Sequence, residues 1–162
     1  MEVIGYKCFN EDMTNSYSIK FEIGKIYTVN GPVKFGNQGN GFHMCERMED
    51  TLRYFDAMKN DVSICLVRGS GDMLVFSDEY YGYYDMHVVQ SLEILKIFNR
   101  DEIINMATNM NRDSLTRFLS GFKLKNDELK YFKDKFKTDD SIINFIEYYQ
   151  ENNFNAFTKK KI

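Results

Sequence analysis

The densest run of chemistry-bearing side chains is Gly41-Phe42-His43-Met44-Cys45, which follows a glycine-rich stretch, Gly36-Asn37-Gln38-Gly39-Asn40. On an extended strand Phe42 and Met44 face one way and His43 and Cys45 the other. Two kinds of chemistry are then open. Glycines that permit close backbone approach, with His43 projecting beside them, fit a ligand cleft. A His next to a Cys on one strand face is the geometry a cysteine nucleophile needs. The plain alternative is an edge strand whose histidine is simply half-buried. A structural zinc site needs four ligands at short spacings. The candidates are His43, His87, Cys8, Cys45 and Cys65, with no Cys-x-x-Cys and no second His within four residues, so no metal is expected. Cys65 sits in the apolar run Val62–Val67 and reads as inert core. No serine-hydrolase elbow, Walker loop or dinucleotide fingerprint occurs. The Gly-x-Gly of Arg68-Gly69-Ser70-Gly71 reads as a turn between two strands and lacks the helix N-terminus that holds a phosphate.

A second group is the tyrosine cluster around Gly82: Tyr80, Tyr81, Tyr83 and Tyr84. Exposed tyrosines stack bases or anchor protein interfaces. The flanking Asp78, Glu79 and Asp85 repel phosphate, so Tyr81 and Tyr84 are read as partner-binding and nucleic acid is not expected as a direct ligand.

These residues need a scaffold, and the hydrophobic period supplies one. Through residue 98 the pattern is that of strands and turns. Tyr17, Ile19, Phe21 and Ile23 alternate with polar residues, the period of a half-buried strand. Asn30-Gly31 is a hairpin signal that would pair Ile26–Val29 with Val33–Phe35. Phe42–Cys45 is a short strand. Met48, Leu52, Phe55 and Met58 fall on one stripe and predict a helix over Glu46–Lys59. Val62–Val67 and Met73–Phe76 predict two strands, and Val88–Phe98 closes this half with a last one. From Asn99 the period becomes 3.6. Asn99 with Glu102 forms a capping box, and further helices are predicted from about Asp113, from a cap at Asn126 and from a cap at Asp139 or Asp140. The expected fold is α+β: a small mixed or antiparallel sheet with one helix over 1–98, followed by a bundle of short helices over 99–162.

Composition bounds the function classes. The chain has 162 residues, 43% hydrophobic and 28% charged, a size and balance that form a core unaided. Net charge is −3, which argues against a broadly basic nucleic-acid surface. Residues 1–98 carry 9 Lys/Arg against 14 Asp/Glu, and residues 99–162 carry 12 against 10. Fifteen Lys to six Arg, with frequent Asn, Ile and Tyr, reflects AT-rich codons more than chemistry. No apolar run reaches a membrane span and the N-terminus lacks a signal-peptide pattern. Three cysteines suit reduced thiols. A cytoplasmic protein is expected.

Three motifs in order, Gly5-Tyr6-Lys7-Cys8-Phe9-Asn10, Glu22-Ile23-Gly24-Lys25-Ile26-Tyr27 and Gly41-Phe42-His43-Met44-Cys45-Glu46, resemble a small family found largely in phages and prophages, over residues 4–98. The family has no assigned activity, so the resemblance implies a mobile-element origin and points to Tyr6, Lys7, Gly41, Phe42 and His43. A second resemblance is to ADP-ribosyltransferase-like domains, which would use NAD. The Gly41–Cys45 strand and the helix expected after it look like their middle element. Lys7 stands where those domains place Arg or His, and Glu93 is the acidic residue of the late strand. The expected function is a phage- or prophage-borne accessory protein without cofactor, which binds a host or phage protein and inhibits a host defence factor. The alternative is an ADP-ribosyltransferase-like enzyme with Glu93 as catalytic residue.

Overall fold

The structure, a computed structural model, describes residues 1–36, 38–53, 55–77 and 85–152. The strands are β1 (Glu2–Asn10), β2 (Ile26–Thr28), β3 (Phe42–Cys45), β4 (Val62–Ser77) and β5 (Asp85–Ile97). The helices are α1 (Arg100–Thr108), α2 (Arg112–Leu119), α3 (Asn126–Lys135) and α4 (Asp140–Ile146), with a 3-10 helix at Met48–Arg53 and a π-helix at Glu147–Glu151. The fold is α+β, with its α-helices in the C-terminal part. By its contacts the chain divides into two compact units. One is Met1–Thr51 with Val62–Phe98; the other is Leu52–Asp61 with the chain from Asn99 onward.

All strand pairings in the sheet are antiparallel, in the order β2-β5-β3-β1-β4. β4 also pairs with β5, so β1, β4, β5 and β3 close a ring, and β2 pairs with β5 at Ser91–Glu93, beyond β3 on the edge away from β4. A closed ring removes most sheet edges and makes an inside. That inside holds Phe9, Met13, Phe21, Met44, Cys65, Val67, Val89, Leu92 and Ile94. The ring is tight enough to demand glycine at two positions. A Cβ on Gly5 would lie 2.5 Å from the Cys45 carbonyl oxygen, and one on Gly69 would lie 2.6 Å from Val89 and 2.7 Å from the Met44 sulfur. Glycine at such sites lets one backbone approach another side chain or strand.

Several expectations are corrected. Residues 68–72 are no turn, because β4 runs through them without a break. Between the pairs Ser70–Ser91 and Met73–Val89, β4 has two residues where β5 has one, a β-bulge. Gly71 takes φ +78° there, and the Asp72 amide donates to the Gln90 Oε1 at 3.1 Å. Tyr17–Ile23 is no strand. The Asn15 side chain accepts from the amides of Tyr17 and Ile19, both at 3.0 Å, which folds the chain into a turn. Only Phe21 of the alternating set is buried; Tyr17, Ile19 and Ile23 are exposed. Ile26–Val29 does not pair with Val33–Phe35. β2 pairs with β5 instead, Tyr27 opposite Leu92, while the Asn40 side chain donates to the carbonyls of Asn30 and Pro32 and gathers that loop. The helix over Glu46–Lys59 shrinks to the 3-10 helix. Its stripe divides, since Met48 belongs to the first unit and Leu52 and Met58 to the second.

The helical unit follows the caps closely. Asn99 and Glu102 form the expected box at α1. Asn111 caps α2 and Asp139 caps α4 through their side chains. At α3 the cap is Lys125 and not Asn126, with Glu128 accepting from the Lys125 amide at 2.8 Å. Inside this unit the buried Gln150 side chain donates to the carbonyls of Leu119 and Phe122 and accepts from the Leu124 amide. Among the described residues no helix is long and apolar enough to cross a membrane.

Candidate functional site

Gly41 leads into β3 at φ +124°, where a Cβ would strike Val88 at 2.8 Å. The turn therefore sets the register that puts Phe42 and Met44 inside the ring. Phe42 meets Phe21 edge-on at 6.1 Å. His43 projects outward, half-buried. Its Nε2 accepts a hydrogen from the Gly36 amide at 3.1 Å, which fixes the proton on Nδ1 and holds the 30–41 loop down. Burial, and secondarily the positive charge of Lys7, holds the His43 pKa below its ordinary value.

Lys7 and His43 do come together, through the backbone. The Lys7 ammonium donates to the His43 carbonyl at 2.6 Å and lies 5.7 Å from the Phe9 ring centroid. Burial lowers its pKa to about 8, with the Cys45 thiol acting in the opposite direction. Cys65 lies directly opposite Lys7 on β4. Its thiol is pushed up to about 12 by burial and points at the Met13 sulfur at 3.7 Å, the environment of an inert core cysteine. Cys45 is also buried, so the His43–Cys45 pair presents no accessible thiol.

The remaining candidates scatter. Tyr6 leans on Phe98 at 6.1 Å. Glu93 is bonded to Arg68 at 3.1 Å. It stands opposite Arg68, which stands opposite Ile4, three residues from Lys7 on β1. Side chains alternate along a strand, so Glu93 and Lys7 leave opposite faces of the sheet. Tyr81 and Tyr84 lie outside the described residues. Among the described residues no three His, Cys, Asp or Glu side chains gather to hold a metal. His87 bonds Glu46 through Nε2 at 2.9 Å. On the helical unit an open groove of about 750 Å³ runs along α3, but its three lysines (130, 133, 137) are matched by Asp127, Asp134 and Glu151, so it selects no charge.

What the residue-type search missed is apolar. Phe35, on the loop that His43 holds, stacks on Phe76 of β4 at 4.5 Å and 10°. The His43 ring flanks Phe35 at 5.5 Å. Phe35 is 48% exposed, Phe76 42%, Leu74 44% and Val75 62%. The sequence signal was Met73-Leu74-Val75-Phe76, four apolar residues in a row where a strand with one wet face would alternate.

Residues 3–100 match the model of a family described as a domain of unknown function (DUF7666). The chain belongs to this family. The match covers the strands and ends as α1 begins, so the exposed Phe35–Phe76 stack lies within the DUF7666 domain and α2, α3 and α4 lie beyond it. No curated protein and no solved structure shows a significant match.

Proposed function

We propose that this DUF7666 protein acts by binding another protein, through the apolar end of its strand ring. The observation that carries the reading is the Phe35–Phe76 stack, two phenylalanine rings 42–48% exposed beside exposed Leu74 and Val75. Large exposed aromatic side chains held rigidly are what interface anchors look like. Here the rigidity has a visible source, the His43–Gly36 bond that clamps the loop carrying Phe35. The polar candidates support the same reading by being engaged within the chain: Lys7 with a carbonyl, His43 with an amide, Glu93 with Arg68. The finer reading, an accessory protein of a phage or prophage that inhibits a host defence protein, rests on the motif resemblance.

The test is a tagged capture from a bacterial lysate with NAD present, followed by intact mass of everything retained. Wild type is compared with the double variant Phe35→Ser, Phe76→Ser. Retention of one stoichiometric protein of unchanged mass, lost in the double variant, is expected. A retained protein carrying an ADP-ribose-sized increment that disappears with Glu93→Gln makes the protein an enzyme and overturns the reading.

A further inference from the structure

In an antiparallel ladder the N–H and C=O of one residue point to the same neighbouring strand, and those of the next residue point to the opposite side. This rule fixes which groups of β4 are free. On β3, His43 turns its carbonyl to β1, where Lys7 bonds it, and the Cys45 carbonyl crowds Gly5 of β1. Phe42 and Met44 therefore turn toward β5, where they stand opposite Val89 and His87. In agreement, the Val89 carbonyl oxygen lies 3.0 Å from the Cβ position of Gly41, at the foot of β3. If Val89 and His87 turn to β3, Val88 and Met86 turn to β4, opposite Leu74 and Phe76. Met73 and Val75 are then left with their backbone groups turned away from β5. On that side β1 has already ended, its last pair being Glu2 with Ser70. No backbone hydrogen bond to Met73 or Val75 from outside β5 occurs among the described residues.

This is an unpaired strand edge carrying exposed apolar side chains, next to the aromatic stack. Such an edge recognises extended backbone. Charge decides whose backbone. From Gly69 to Leu92 the sequence has Asp72, Asp78, Glu79 and Asp85 and not one Lys or Arg. Two copies pairing edge to edge would bring together two hairpins whose sequence holds acidic residues and no basic one, and like charges placed opposite one another are destabilising. A segment with basic flanks meets no such penalty.

We propose that the outward edge of β4 at Met73–Phe76 takes up an extended, Lys/Arg-flanked segment of another protein as an added β-strand. This rests on the protein-binding reading above and names its partner's chemistry. The added strand hydrogen-bonds through Met73 and Val75, and its apolar residues extend the surface made by Leu74, Phe76 and Phe35.

Two measurements test it. In the free protein, amide hydrogen exchange at Met73 and Val75 is at least tenfold faster than at Leu74 and Phe76; equal protection of all four means the edge is already covered and overturns the proposal. A displayed library of random ten-residue segments is then selected on the wild-type chain. The expected winners alternate apolar residues, carry Lys or Arg at their ends, and lose affinity with added salt. Their binding falls at least tenfold in Val75→Pro, which removes only an outward N–H, and less than threefold in Val75→Thr, which keeps it. Winners that bind Val75→Pro as well as wild type but fail on Phe35→Ser, Phe76→Ser overturn strand addition while leaving the protein-binding reading intact. A library without winners, together with an empty lysate capture, removes both. A concentration-dependent dimer abolished by Val75→Pro assigns the edge to a second copy and overturns the basic partner.

Discussion

Nε2 of His43 can accept the Gly36 hydrogen only while the imidazole is neutral, and this gives the loop bearing Phe35 a pH dependence. The pKa of His43 is lowered in the fold, by burial first and by Lys7 second. As pH falls, the unfolded chain takes up this proton near the ordinary value of about 6.5 and the folded chain only later. The stability it contributes is therefore complete above about pH 6.5 and is lost on acidification below that. Gln at this position offers an amide oxygen to Gly36 without titrating. Urea unfolding of wild type and His43→Gln at pH 7.5 and 5.5 should show a smaller loss for the variant. His87 and the carboxylates are common to both and cancel in the difference. Parallel losses would mean that protonation of His43 does not strain the clamp. Lys7 illustrates what a residue-type search can and cannot see. The motif resemblance points to it as a binding residue; its bond goes to the carbonyl of His43 and not to the ring, and nothing in the sequence tells a backbone partner from a side-chain one.

At the scale of elements, the two glycines facing the ring interior are unequal. A Cβ on Gly69 meets only side chains, Val89 and Met44, which can rotate, whereas one on Gly5 meets the Cys45 backbone. Overpacking of this kind costs about 1–3 kcal/mol. Gly5→Ala should fall at or above the upper end and Gly69→Ala nearer the lower, by chemical denaturation. Val89→Ala should restore part of the loss in Gly69→Ala and none in Gly5→Ala. If the two glycine variants cost the same, or rescue is indiscriminate, the ring is looser than these distances imply. Elements ruled by local signals were legible in the sequence. β3, most of β5 and the capped starts of α1 and α4 came from periodicity and side-chain caps within four residues. From sequence alone β4 reads as two strands, because Gly69 and Gly71 look like turn residues. One of them is an interior contact and the other a bulge, roles that depend on β3 and β5. The stripe at Met48, Leu52, Phe55 and Met58 had helical spacing, yet its members serve two different units. Periodicity reports that a residue is buried and not against what.

For the whole molecule, the family match and the folded units have different boundaries. The match runs from 3 to 100 without interruption. In the fold, Leu52–Asp61 belongs with the helices: the Lys123 amide donates to the Ala57 carbonyl at 3.0 Å, and Leu52, Ala57 and Met58 are buried. A fragment ending at residue 98 would leave that segment without its unit. It should bind more hydrophobic dye than the full chain does, and polar replacement of Leu52 and Met58 in the fragment should abolish the excess. A fragment without that excess would show that 52–61 finds burial within residues 1–98.

The ring closes through very little. β1 is stitched to β4 by nine successive pairs, from Glu2–Ser70 to Asn10–Val62, but to β3 by the single pair Tyr6–Cys45. Time enters here. The β4–β5 hairpin joins neighbours in sequence and can form early, whereas β1 must find β4 across about 60 residues and β3 must then slot into the gap. The seam between β1 and β3 is thus the last to shut and the first to part. Gly5 sits on that seam. Stopped-flow measurements on Gly5→Ala should show faster unfolding and an almost unchanged refolding rate, the mark of a contact made after the barrier. A slowed refolding limb would put ring closure inside the barrier instead.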